Sequence, residues 1–329
     1  MLCQKLLAII QDGFPLVERP YKALAEILNV SEQDAFDEVE KMRASGVIRR
    51  IGGVYDSKKL GFISRLCAGK VPASSLDFSE EPHALTSMES FATVVMDEPA
   101  ITHNYIRSHE YNVWFTVIVE NESAIQTVVD RVCAKTELHD VHVLTATKKY
   151  KINTVMGKGA GAPSKIVFAS AVRQSPENAL TEADRTRIHI ACDDIPHTLT
   201  PFKDWGVSCD ELREDLAIKR MRRFGAILRH QDAGFPCNAM VCFSRHSEDR
   251  RNEESSKILA LAKQHYISHC YERPSFENFP YNLYAMMHAQ MPEELDAYIK
   301  ESVALLDNPE YVVLHSLKEL KKTSFRFFA

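Results

Sequence analysis

The chain states one pattern twice, so any fold for it must be a pair of related units. From Gly13 the first half runs GFPLVERPY, then VSEQDAFDEVEKMRASGVIRRIGGVYDSKKLGF, then THNYIRSHEYNVWFTVIVE. From Asp194 the second runs DIPHTLTPF, then VSCDELREDLAIKRMRRFGAILRHQDAGF, then SHCYERPSFENFPYNLYAMMHAQ. The order is the same, which makes the 329 residues a fusion of two copies of one architecture. His103, Tyr105 and Arg107 fall on His269, Tyr271 and Arg273 at a shift of 166 positions, and Tyr111 and Asn112 fall on Tyr281 and Asn282 at a shift of 170. Alternate residues of an extended strand share a face. Each half is therefore expected to present a His, a Tyr and an Arg together, giving two candidate sites.

Each copy divides again. Leu6, Leu7, Ile9 and Ile10, then Leu24, Ile27 and Leu28, then Ala35, Phe36, Val39 and Met42 recur at helical spacing, with a stop at Gly46. VIRRIGGVYD follows as a strand with a glycine turn, completing a winged helix-turn-helix. Beyond it, strands are expected near 62–71, 91–97, 112–119 and 141–150, with helices near 79–89 and 122–135. The second copy repeats the order, with strands near 237–244, 265–271, 281–289 and 310–322 and helices near 253–263 and 292–305. This β-α-β-β-α-β order is the ferredoxin-like fold, so the class is α+β, a tandem duplication. The expected units are a winged helix-turn-helix over 1–58, a βαββαβ domain over 59–155, a small-residue linker over 156–175, a second winged helix-turn-helix over 176–232 and a second βαββαβ domain over 233–329.

Composition narrows the classes. No apolar run reaches the ~20 residues of a membrane helix, and the N-terminal MLCQKLLAIIQDGF lacks a signal-peptide cleavage site, so a cytoplasmic protein without membrane contact is expected. Eight cysteines are scattered without a CxxC pair and read as reduced core thiols, so no metal site is expected.

A winged helix-turn-helix followed by βαββαβ is the architecture of the Lrp/AsnC transcriptional regulators, whose third helix enters the DNA major groove. Here that helix carries Glu32, Asp34, Asp37, Glu38 and Glu40 against Lys41, and its counterpart carries Asp210, Glu211, Glu214 and Asp215 against Arg213 and Lys219. With a net charge of −5, the surface would repel phosphates, so no nucleic-acid partner is expected and the module is read as a packing element.

The strings GVIRRIGGVYDSKKLGF, THNYIRSHEYNVWFT, RRFGAILRHQDAGF and SHCYERPSFENFPYNLYAMMHA resemble the siroheme decarboxylases, which are built from Lrp/AsnC-like subunits either separate or fused. The resemblance spans nearly the whole chain in order. It implies removal of carbon dioxide from two acetate side chains of siroheme to give 12,18-didecarboxysiroheme, on the way to heme or to the d-type heme of nitrite reductases. It also implies no cofactor beyond the iron of the substrate itself. In the Lrp/AsnC architecture βαββαβ domains pair, so a pseudo-dimeric monomer or a homodimer is expected.

Such a substrate needs flat apolar walls and cations. Trp114, Phe115, Tyr111, Phe276, Phe279, Tyr281, Tyr284, Met286 and Met287 lie beside the motif. Arg49 and Arg50 of the first wing are matched with Leu228 and Arg229 of the second, and Arg107 with Arg273. Guanidinium groups bind carboxylates bidentately. An arginine on the reacting acetate would stabilise its ground state more than a transition state losing charge, so the arginines are expected to hold the carboxylates that survive. The new methyl needs a proton, and His103 and His269 are the candidate donors, with Tyr105 and Tyr271 orienting, relaying or donating themselves. Either histidine could instead ligate the siroheme iron. Trp114, Phe115 and Tyr284 sit in strands where aromatics are expected as core, the better reading for at least half of them. His230 is a weaker candidate. The same pocket without a proton donor would suit a tetrapyrrole sensor or carrier, and a ligand-sensing regulator is a third reading.

Overall fold

Each half opens on three helices with apolar faces at three- and four-residue spacing. The computed structural model describes residues 2–72, 87–152, 180–228, 236–245, 251–322 and 325–328, so the expected linker, Arg229 and His230 lie outside the described residues. α1 (Leu2–Asp12) buries Leu6 and Ile10, α2 (Pro20–Leu28) buries Tyr21, Leu24 and Ala25, and α3 (Glu32–Ala44) buries Ala35, Val39 and Met42. Pro20 starts α2 where a missing N–H costs nothing, and Ser31 and Asp34 form a reciprocal capping box on α3. Then come β1 (Ile48–Tyr55), β2 (Ile63–Lys70), α4 (Ser87–Asp97), β3 (Ile101–Arg107), β4 (Val113–Val119), α5 (Glu122–Lys135), β5 (His139–Leu144) and β6 (Lys148–Ile152). The strand expected at 91–97 is the body of α4. Its β-branched run FATVV reads as extended, yet Met88, Phe91 and Val95 fall at helical spacing and pack together in the core under the sheet. The second strand of the unit is β3, which carries His103.

The second half runs α6 (Glu182–Ala191), α7 (Pro201–Trp205), α8 (Cys209–Ala217), β7 (Met221–Leu228), β8 (Cys237–Phe243), α9 (Arg251–Lys263), β9 (Ile267–Glu272), β10 (Leu283–Ala289), α10 (Pro292–Leu305) and β11 (Tyr311–Lys322). Here the expected strands and helices of the βαββαβ unit fall on β8, α9, β9, β10, α10 and β11.

Among the described residues one sheet has the order β5-β2-β4-β3-β11-β8-β10-β9-β6. The first βαββαβ unit contributes five strands, β2 to β6, and the second contributes four, β8 to β11, and the join is a strand exchange. β11 pairs with β8 over Tyr311–His315 and then with β3 from Ser316 to Lys322. In return, β6 leaves β5 and pairs with β9, which is why the single strand expected over 141–150 is two. Helices cover one face of each unit, and the remaining faces meet in a core drawn from both halves: Ala68, Tyr111, Trp114 and Leu144 with Met240, Cys242, Phe279, Tyr284 and Leu314. The domain pairing of this architecture is thus made within one chain.

The wings are also shared. β1 was expected to turn at its glycines, but Gly52 and Gly53 lie mid-strand, and β1 pairs antiparallel with β7, Gly52 opposite Gly225. A Cβ at Gly52 would sit 2.3 Å from the Asp193 carbonyl, and one at Gly225 would sit 2.5 Å from that of Ile10. The glycines let helix ends rest on the ribbon. One core then unites both helix-turn-helix units.

A buried ionic cluster ties that core together. Asp215, whose side chain is 0% exposed, accepts from Tyr55 at 3.1 Å, Arg220 at 2.8 Å and Arg187 at 3.3 Å. Arg187 also holds Asp184 at 2.7 Å. The Thr181 cap, followed by Arg187, holds the Asp184 carboxyl at about 2, below the ~3.9 of a free aspartate. Because folding lowers this pKa, its stabilisation is complete above pH ~4 and is lost as pH falls through the folded value. Thr181→Ala is expected to move the acid-unfolding midpoint upward, and an unmoved midpoint would remove Asp184 from the account.

Candidate active site

The two repeated faces are built from β3 and β9. Asn104 and Ile106 are buried on one side of β3, leaving His103, Tyr105 and Arg107 on the other. Cys270 is likewise buried under α9 and α10, with His269 and Tyr271 on the opposite face of β9 and Arg273 just beyond it. The expected trios therefore do share faces. Tyr105 stands opposite Trp114 and Glu319, and Tyr271 opposite Tyr284 and Lys149.

Both histidines are held the same way. His103 Nδ1 lies 2.9 Å from Thr102 Oγ1, and His269 Nδ1 lies 2.9 Å from Ser268 Oγ. Ser268 Oγ is also 2.8 Å from His288 Nε2. Thr102 and Ser268 coincide at the same 166-residue shift, so the hydroxyl preceding each histidine was visible in the sequence. A hydrogen bond at Nδ1 fixes the orientation of the ring.

The tyrosines are half-buried under cations. The Arg107 guanidinium carbon lies 5.0 Å from the Tyr105 ring centre, and that of Arg273 lies 5.2 Å from the Tyr271 ring centre. Burial, and then Glu319 at Tyr105, pushes both phenols above their ordinary range, so each keeps its proton at neutral pH.

Several expectations for the arginines and aromatics need correction. Arg107 is 4% exposed, and its Nη1 donates to the Leu314 carbonyl at 3.1 Å and to Ser316 Oγ at 3.0 Å. Arg273 donates to the carbonyl of Leu144, the residue equivalent to Leu314 at the other strand exchange. These guanidiniums pin the exchange and stack on the tyrosines. Burial lowers Arg107 to about 10, which leaves it charged at neutral pH. Arg50 gives its Nη2 to the Gly53 carbonyl at 3.1 Å and Nη1 to that of Asp193 at 3.4 Å, so it too serves the backbone. Arg223 does the same at Ala226, at 3.0 Å. Arg49 and Arg50 thus correspond to Arg222 and Arg223, and the match with Leu228 and Arg229 was out of register. The paired strings IRRIGG and MRRFGA carried that signal.

Trp114 is 1% exposed, donates its Nε1–H to the Tyr111 carbonyl at 2.7 Å and fills the core shared by the two halves; Phe115 is buried under the helices. Tyr281 is half-buried and edge-on to Phe279 at 4.9 Å. The repeated Asn112 and Asn282 clamp the chain after the first strand of each unit, at Val71 and Arg245. Arg49 faces a cavity of about 870 Å³ between the helix-turn-helix core, the start of α5 and the C-terminal tail, lined also by Arg131, Arg326, Phe62 and Phe328. It lies close enough to Tyr105 to act on its phenol. Cations, protonated phenols and oriented imidazoles beside apolar surface can bind a polyanion and deliver a proton.

Comparison with known proteins gives matches over the whole chain. A family model described as AsnC-like ligand binding domain matches residues 59–151 and 232–321, and one described as siroheme decarboxylase NirDL-like HTH domain matches residues 4–49. The chain is 31% identical to the siroheme decarboxylase of Hydrogenobacter thermophilus over 99% of its own length and 94% of that protein. It is 26% identical to the siroheme decarboxylase NirDL subunit of Paracoccus denitrificans, covering 92% and 89% of the two chains. The crystal structure of the siroheme decarboxylase NirDL superposes with a TM-score of 0.65 at 27% identity over 100% of this chain and 95% of that one, as does its co-complex with an iron-uroporphyrin III analogue.

Proposed function

The chain belongs to the siroheme decarboxylase family, and from that premise we propose that it is a carboxy-lyase taking two acetate carboxyls from siroheme to give 12,18-didecarboxysiroheme. The observation that carries the reading is the repeated face of a hydroxyl-bound histidine beside a protonated tyrosine. A relative solved with an iron-uroporphyrin III analogue supports a flat, anionic iron macrocycle as the ligand.

In each step the bond between the acetate methylene and its carboxylate breaks, carbon dioxide leaves, and the electron pair stays with the methylene carbon and the conjugated ring. A proton then completes the methyl. His269 or His103 supplies it from Nε2, with Nδ1 held by Ser268 or Thr102, and Tyr271 or Tyr105 orients the imidazole or relays the proton. Arginine is kept from the reacting carboxylate, because pairing there would favour the ground state. Arg107 and Arg273 act instead as positioning residues beneath the tyrosines. Siroheme brings its own iron, and the residues named need no further cofactor.

The regulator reading is disfavoured by charge. Asp34 and Asp37 on one third helix and Glu211 and Glu214 on the other are exposed, so these helices offer acids where a phosphate backbone would lie. The reading therefore carries no nucleic-acid partner, and with the unit pairing made within the chain, a single chain suffices for both faces. The test is the carbon dioxide released on anaerobic mixing with siroheme. Two equivalents per macrocycle support the reading, whereas tight binding without release moves the chain to the carriers or sensors.

A further inference from the structure

The two repeated faces differ in charge at one matched position. Strand exchange brings Glu319 of β11 opposite Tyr105 and Lys149 of β6 opposite Tyr271. These residues are 170 positions apart, the same shift that relates Leu144 to Leu314 at the exchange itself. One location in the duplicated architecture thus holds a carboxylate in one copy and an ammonium in the other. At the first face Glu319 acts on the Tyr105 phenol and raises it. At the second, Lys149 Nζ lies 5.9 Å from the Tyr271 ring centre, and the Arg273 guanidinium carbon 5.2 Å from the same ring.

The surroundings of Lys149 deepen the contrast. Lys149 is half-buried. Burial first, and then the charges of Lys58, Arg222 and Arg273, push its ammonium below the ordinary lysine value, with Asp56 as the opposing carboxylate. Arg222 comes from β7 and Lys58 from the turn after β1, so the cluster gathers residues from both wings as well as from β6 and the end of β9. Like charges held together in a partly dehydrated place are costly unless an anion joins them. A tetrapyrrole with carboxylates around its rim is such an anion, and Glu319 is what would repel it at the other face.

We propose that Lys149 binds a rim carboxylate of the tetrapyrrole and so docks the macrocycle on the His269–Tyr271 face, while Glu319 keeps it off the His103–Tyr105 face. The assignment rests on the siroheme reading for the identity of the ligand. It makes the halves unequal in their work, and it adds a specificity residue that lies outside the repeated motif.

Titration of the full-length protein with iron-uroporphyrin III, followed by the absorbance of the macrocycle, tests it. The native chain is expected to bind one equivalent. Lys149→Gln and Lys149→Glu should each bind about tenfold more weakly or worse, the fold-change of ~1.4 kcal/mol, and Lys149→Arg should stay within a few-fold of native. The neutral Lys149→Gln keeps the test valid if the charge reversal unfolds. Two equivalents of equal affinity on the native chain, or native-like binding by both Lys149→Gln and Lys149→Glu, overturns the proposal. Siroheme turnover by the native chain is read separately. Loss of binding in the variants alongside a native chain that leaves siroheme unchanged would sink the decarboxylase reading and leave the docking assignment standing.

Discussion

His269→Ala is expected to slow decarboxylation by about 10²- to 10⁴-fold, the usual contribution of a positioned general acid, while siroheme still binds within a few-fold of native. His103→Ala should leave binding and turnover within a few-fold of native, since the macrocycle is placed on the His269 face. The split between binding and turnover decides the role. A proton donor leaves affinity in place, because its contribution is made in the transition state. An iron ligand would lower affinity and change the spectrum of bound siroheme. If His269→Ala decarboxylates at the parental rate, the acid assignment fails. Ser268→Ala should give a smaller loss than His269→Ala, because it removes only the hydrogen bond that orients the ring.

Asp215→Ala is expected to cost about 3–5 kcal/mol of stability, read from the denaturant midpoint of cooperative unfolding. The carboxylate is fully buried, and its partners Arg187 and Arg220 are only 12% and 15% exposed. Removing the acid leaves two guanidiniums and the Tyr55 hydroxyl without their shared acceptor in the core common to both helix-turn-helix units. Asp215→Asn, which keeps acceptor geometry without the charge, should cost less. A loss below ~1 kcal/mol for the alanine variant would mean that water reaches the cluster and screens it.

The duplication, the α+β class and the two His-Tyr-Arg faces were legible in the sequence because each rests on local pattern. Helical spacing identified α1, α2 and α3, and alternation placed His103 with Tyr105 and His269 with Tyr271. The residue at 91–97 misled because β-branched side chains favour strands, whereas burial of Phe91 and Val95 against the first unit's sheet held them in α4. The glycines of the wing suggested a turn, but what they answer is close approach by Asp193 and Ile10 from elsewhere in the chain. Strand exchange has no local signature at all. Lys149 and Glu319 belong to segments far from the motifs they face, and only the register of β6 on β9 and of β11 on β3 brings them there. Likewise Arg107 looked like a carboxylate clamp by residue type, and its burial at the Leu314 carbonyl depends on the path of β11. Arg222 was within reach of sequence reasoning through the repeated Arg-Arg pair, had the wings been aligned on it.

The central claim is decarboxylation of siroheme by this chain. Its most direct test is anaerobic incubation of the purified protein with siroheme, followed by chromatography and mass spectrometry of the macrocycle. The account predicts sequential loss of two carbon dioxide units through a singly decarboxylated intermediate. Siroheme recovered at unchanged mass from a protein that binds it tightly would contradict it.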